Sequence, residues 1–183
     1  MQLVRQSQTR AWLLLQAETD SEILQTSSAG RSWERRSDPC GQTYASTMGL
    51  RGTNQLWLVC GSEPGAGEQI KVAYRSIDGA SHWRKINAKL SISGYIASLT
   101  VMSSSLWLGL VRERPQSSTD NGVTWNPVAI NPPDDFAGFG KLHFIRDRIG
   151  WVTNYGTIYR TVDGYHWEGV PLSRAFPGAI ATL

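Results

Sequence analysis

The side chains that could do chemistry in this chain are carboxylates and arginines set in irregular segments. Glu113 stands between Arg112 and Arg114, and Asp134 and Asp135 follow Pro132 and Pro133. Cleavage of a glycosidic bond needs two carboxyl groups facing a common cleft, about 5 to 10 Å apart according to stereochemical course. Glu113 with Asp134 or Asp135 is the pair that neighbouring loops would bring together. Without that partnership Glu113 is a surface charge between two cations, and Asp134-Asp135 is a polar turn after a proline. A second set, Arg35, Arg36, Arg112, Arg114, Tyr155 and Arg174, supplies the ligand-binding candidates, because loops on a rigid scaffold are where binding residues concentrate. The three histidines, His82, His143 and His166, are too dispersed to form a site. No Cys/His cluster has metal-ligand spacing, and neither a phosphate-binding loop nor a nucleophile elbow is present. No metal and no cofactor are expected.

The elements that must position these residues announce themselves through tryptophan. All 8 tryptophans fall into four pairs, recurring at roughly 42 to 50 residues, which is the period of a propeller or solenoid. Trp12, Trp57, Trp107 and Trp151 each open a strand-like run such as Trp57-Leu58-Val59. Trp33, Trp83, Trp125 and Trp167 each close a short polar turn. Aligning the pairs yields a unit of four short strands: an inner strand such as Tyr95 to Val101 or Lys141 to Ile145, the Trp strand, an alternating strand such as Thr157-Ile158-Tyr159-Arg160, and a short outer strand. Four strands at this spacing, repeated radially, make the blade of an all-β propeller. Blades are expected at about 1–38, 42–88, 93–130 and 138–171, in a single domain spanning 1–183. Residues 177–183 align with the inner strand of a fifth blade, so the ring is expected to be partial or to be half of a dimeric ring.

The turn between third and fourth strands is the most specific local signal. It reads Ser76-Ile77-Asp78-Gly79-Ala80-Ser81-His82-Trp83 in the second unit and Ser118-Thr119-Asp120-Asn121-Gly122-Val123-Thr124-Trp125 in the third. The Asp can accept backbone N–H groups further along the turn, Gly or Asn takes positive φ, and the Trp folds back over the hairpin. Each turn is expected to be a self-contained clip. These turns resemble the Asp-box, or BNR repeat, of sialidases and related propellers. Asp78, Trp83, Asp120, Gly122, Trp125, Asp163, Trp167 and Trp33 take its structural positions, although Ser28 replaces the Asp of the first turn and the fourth turn is one residue short.

The resemblance implies a fold more firmly than an activity, and it places the box residues away from a ligand site. A sialidase-like site would need an arginine cluster and a Tyr nucleophile assisted by Glu, and the Arg-Ile-Pro motif of that family is absent. The chain looks most like the small bacterial propellers related to photosystem II assembly factors. That likeness implies a non-catalytic module binding a protein or glycan on its loop face. The alternative is a fragment of a sialidase-like or xyloglucanase-like glycoside hydrolase.

Composition narrows the partners. A net charge of +3 spread over dispersed arginines lacks the dense patch of a nucleic-acid surface, and no apolar run approaches the roughly 18 residues of a membrane span. The start carries no signal-peptide core, which is expected of a cytoplasmic protein if Met1 is the true start and of a periplasmic or secreted one if the chain is a fragment. Cys40 and Cys60 are expected as two small buried thiols, with a single disulfide between them as the alternative.

Overall fold

A computed structural model describes residues 1–128, 141–154 and 157–171. Their strands form four antiparallel sheets of four strands, each in simple up-and-down order. The first holds β1 (Gln2–Arg5), β2 (Ala11–Gln16), β3 (Ser21–Thr26) and β4 (Glu34–Arg36). The second holds β5 (Ala45–Arg51), β6 (Gln55–Gly61), β7 (Lys71–Ser76) and β8 (Arg84–Leu90). In the third are β9 (Tyr95–Val101), β10 (Leu106–Val111), β11 (Gln116–Ser118) and β12 (Asn126–Pro127). The fourth has β13 (His143–Arg146), β14 (Ile149–Asn154), β15 (Thr157–Thr161) and β16 (Glu168–Pro171). The expected inner strand at 177–183 lies outside the described residues.

The apolar core lies between sheets, because a short sheet buries its faces only against a neighbour. Trp12, Leu14 and Ile23 of the first blade pack on Met48, Leu56 and Leu58 of the second. Trp57, Val59 and Ala73 of the second pack on Leu99, Leu106 and Leu108 of the third. Met102 and Trp107 of the third meet Val152, Tyr159 and Trp167 of the fourth. Among the described residues no apolar cluster joins the fourth blade to the first.

The four clip turns hold themselves by the same hydrogen bonds. Asp120 Oδ1 accepts Val123 N at 3.0 Å and Thr124 N at 2.9 Å, while Oδ2 accepts the Thr124 hydroxyl at 2.6 Å. Asp78 and Asp163 accept the backbone N–H of His82 and His166 at 3.0 and 2.7 Å. In the first turn the Ser28 hydroxyl replaces the carboxylate and accepts Ser32 N at 2.9 Å. The side-chain and backbone donors of Thr124 hold Asp120 at about 2, and those of His82 hold Asp78 at about 2. The His166 ring and backbone push Asp163 lower still.

The clips are not self-contained, however. Trp12 Nε1 donates to Gly79 O at 3.0 Å and Trp57 Nε1 donates to Asn121 O at 3.0 Å, so the second-strand Trp of one blade seals the clip of the next. Arg10 stacks over the Trp12 ring at 4.9 Å, and Arg51 over Trp57 at 4.6 Å while donating to Asn121 Oδ1. At the fourth clip, one residue shorter, Trp107 Nε1 turns to its neighbour Ser105 Oγ at 3.3 Å and the ring alone reaches Gly164. Trp167 Nε1 there is buried without an acceptor among the described residues. Trp33 also departs from expectation: it is 37% exposed, because the later clip tryptophans are covered by the preceding blade and the described residues include no blade preceding the first.

The expectation of two free thiols is corrected. Cys40 and Cys60 form a disulfide. Thr43 Oγ1 and Tyr44 N both donate to Gly61 O, so the segment entering β5 runs beside the end of β6 and carries Cys40 to Cys60.

Candidate functional site: the loop face and channel

The clips and first-to-second-strand turns occupy one end of the blades, leaving the other end to the loops between second and third strands and to the crossings between blades. The inner strands β1, β5 and β9, with residues 141–144, line a channel of about 740 Å³. Polar and apolar side chains share its wall, and inward polar side chains link the blades. The Gln2 amide pairs with the Met48 backbone, accepting its N–H at 2.8 Å and donating to its carbonyl at 2.7 Å. Thr47 Oγ1 accepts Leu99 N at 2.9 Å, and Ser98 Oγ accepts Leu142 N at 3.0 Å. Hydroxyl and amide groups thus replace the ladder that separate sheets cannot form. His143 is exposed in this channel wall.

Above the channel, the loops of the second and third blades are fused into one platform by Lys71, a residue without sequence signal. Its ammonium is fully buried and donates to Gln69 O at 2.8 Å, Ile92 O at 2.6 Å and Gly94 O at 2.8 Å. Burial pulls its pKa below the usual lysine range, and Glu68 and Glu113 pull it back up. Full satisfaction by three carbonyls is what makes such a burial tolerable. Gln69 extends the pin, donating to Ser62 O and accepting Ile96 N. Spacing gives no hint of Lys71, since its partners are backbone atoms brought together by two different blades.

The sequence-derived candidates fall in different places. Arg112 follows β10 in a left-handed conformation, φ 67°, with its exposed guanidinium 5.7 Å from the Tyr95 ring. Glu113 Oε1 accepts the backbone N–H of Arg114 at 2.7 Å, and Arg114 is exposed. Arg35 and Arg36 lie in β4 rather than in a loop. Arg35 pairs with Glu22 at 2.6 Å, and Arg36 with Glu34 at 3.0 Å and Gln25 Oε1 at 2.6 Å. They stand at the outer edge of the first blade while Arg112 and Arg114 stand in the third. Asp134, Asp135, Tyr155 and Arg174 lie outside the described residues, as therefore does the second half of the carboxylate pair. No group of three or more His, Cys, Asp or Glu with metal-holding geometry occurs among the described residues.

Comparison with solved structures then decides the architecture. A structure of YCF48 bound to D1 peptide matches with a TM-score of 0.67 over 94% of this chain and 55% of that one, at 15% identity. YCF48 from Cyanidioschyzon merolae matches with a TM-score of 0.64 over 92% of this chain and 55% of its own, at 14% identity. The fold is a β-propeller. A GH74 xyloglucanase from Xanthomonas campestris gives a TM-score of 0.57 at 17% identity, over 87% of this chain and 27% of the enzyme. The chain therefore spans about half the length of the first two propellers. No protein-family model matches the sequence, and neither does any curated protein. The likeness is one of fold. No helix among the described residues is long and apolar enough to cross a membrane.

Proposed function

We propose that this chain is a non-catalytic propeller module that binds a segment of another protein on its loop face, at the platform of Tyr95, Arg112 and Arg114. The observation that carries this reading is Arg112: an exposed cation is held in a left-handed backbone conformation over an aromatic ring, on loops locked from beneath by Lys71. A rigid platform spares the ordering cost that weakens binding by mobile loops. One of the propellers that shares this fold was solved with a peptide bound. The clip turns are read as Asp-boxes, with structural roles only. The whole chain is read as one propeller domain, a partial ring or half of a dimeric ring, with 177–183 as the inner strand of a fifth blade.

Peptide and glycan arrays probed with the wild type and with Arg112→Ala and Arg114→Ala test the proposal. Peptide ligands that weaken by about tenfold or more in the variants, the size expected of an anchoring arginine, support it. Signals indifferent to both substitutions overturn it. Ligands confined to the glycan array favour the carbohydrate reading, in which Glu113 with Asp134 or Asp135 would be the pair to substitute next.

A further inference from the structure

The two residues that flank each clip, one ending the third strand and one opening the outer strand, lie directly opposite each other. The first blade pairs Gln25 with Glu34, the third pairs Ser117 with Asn126, and the fourth pairs Arg160 with Glu168. None of these sets two like charges face to face. The second blade does: Arg75 stands opposite Arg84. Directly opposed residues share one face of the sheet with Cβ atoms about 4.5 to 5.5 Å apart, and like charges there destabilise the pairing.

The neighbouring side chains do not compensate this pair. Arg75 is half-buried, with its guanidinium 4.9 Å from the Trp57 ring. It donates from Nη2 to Gln55 Oε1 at 2.8 Å, while its Nε is buried without an acceptor among the described residues. Arg84 is exposed, and among the described residues neither arginine has a carboxylate within ion-pair distance. A third cation, Arg51, stacks on the same ring at 4.6 Å; its donors are taken by Met102 O, Asn121 Oδ1 and Ser105 O, and Asp147 offsets part of its charge. The carboxylate of the facing clip, Asp120, is turned onto the N–H groups of Val123 and Thr124.

We infer that Arg75 and Arg84 form a binding site for a small doubly charged oxyanion, phosphate or sulfate, on the second blade beside the clip of the third. Two guanidinium forks offer donors to several oxygens at once, which suits a tetrahedral anion, whereas a single carboxylate fills one fork. The anion takes the donors that the protein leaves unused and removes the repulsion across the two strands. The site lies at the clip end of the blade, away from the loop platform, and is independent of what that platform binds.

Isothermal titration calorimetry with sodium phosphate and with sodium sulfate, in chloride of matched ionic strength, tests this on the wild type and on Arg84→Ala, Arg84→Glu and Arg160→Ala. Folding is checked by circular dichroism. The expected result is saturable binding by the wild type, weakened about tenfold or more in Arg84→Ala, the worth of a hydrogen bond to a charged group, and abolished in Arg84→Glu. Arg160→Ala, which removes an arginine already opposite Glu168, binds as the wild type does. Arg84→Glu also gives the second blade the charge pair of the fourth, so in chloride alone it should melt about 1 to 4 °C above the wild type. Binding of one anion without the other supports the site and names its source. Absence of saturable binding of either anion overturns the inference. So does an affinity unchanged in Arg84→Ala, or an Arg84→Glu protein that melts no higher than the wild type, since there is then no repulsion for an anion to relieve.

Discussion

The two ends of the blades are built on opposite principles. At the clip end one device recurs: a carboxylate or hydroxyl gathers the turn, and a tryptophan from the preceding blade seals it. At the loop end the two described crossings between blades are fastened differently. The first is fastened by the Cys40–Cys60 disulfide, together with Trp83 Nε1 donating to Ser37 O at 2.7 Å. The Lys71 ammonium fastens the second. Repetition suits a part whose task is the same in every blade, whereas a face that recognises something specific must differ from blade to blade.

The sharpest way to break that comparison is to empty a joint. Trp57→Ala should cost about 3 to 5 kcal/mol, by loss of ring burial and the cavity left behind, measured by urea denaturation; a midpoint near wild type would mean that the joint does not hold the second and third blades. Next is the disulfide. With 20 residues separating its cysteines, reduction should cost about 3 kcal/mol in the loop-entropy account, read as a lower melting temperature in reductant. A Cys40→Ser, Cys60→Ser protein insensitive to reductant but as stable as wild type would remove the staple from the loop-end account.

A finer test separates hydrogen bond from ring. Trp57→Phe strands the Asn121 carbonyl and should cost about 1 to 2 kcal/mol more than Trp107→Phe, whose indole N–H bonds only a neighbouring serine. Equal costs would show that ring packing alone makes the joint. The smallest effect concerns pH. Asp78 and Asp120 lie below their ordinary value of 3.8, at about 2 in the folded protein. Their contribution is therefore complete above about pH 4 and lost as pH falls towards 2. Melting temperature should drop through that window, and less steeply after Asp120→Asn; an identical slope would deny the clip carboxylates this role.

Much of this was legible from residue types and spacing. Paired tryptophans marked second strands and clips, and β1, β5, β9 and the Trp strands lie where that period puts them. Legibility fails where partners come from different blades. Trp12 and Gly79 are 67 residues apart, so a turn that reads as complete in sequence is sealed from outside. Arg35 and Arg36 read as loop cations until Glu22 and Gln25 on the adjacent strand claim them.

What the sequence determined by itself is the repeated unit: strand period, turn chemistry and blade order are local, carried by residues within a few positions of one another. What only the tertiary structure decided is how units meet: the disulfide rather than two thiols, the buried lysine pin and the inter-blade tryptophan joints. Those depend on which backbone carbonyls and side chains are brought within about 3 Å after the blades have packed, a condition that no single stretch of chain encodes.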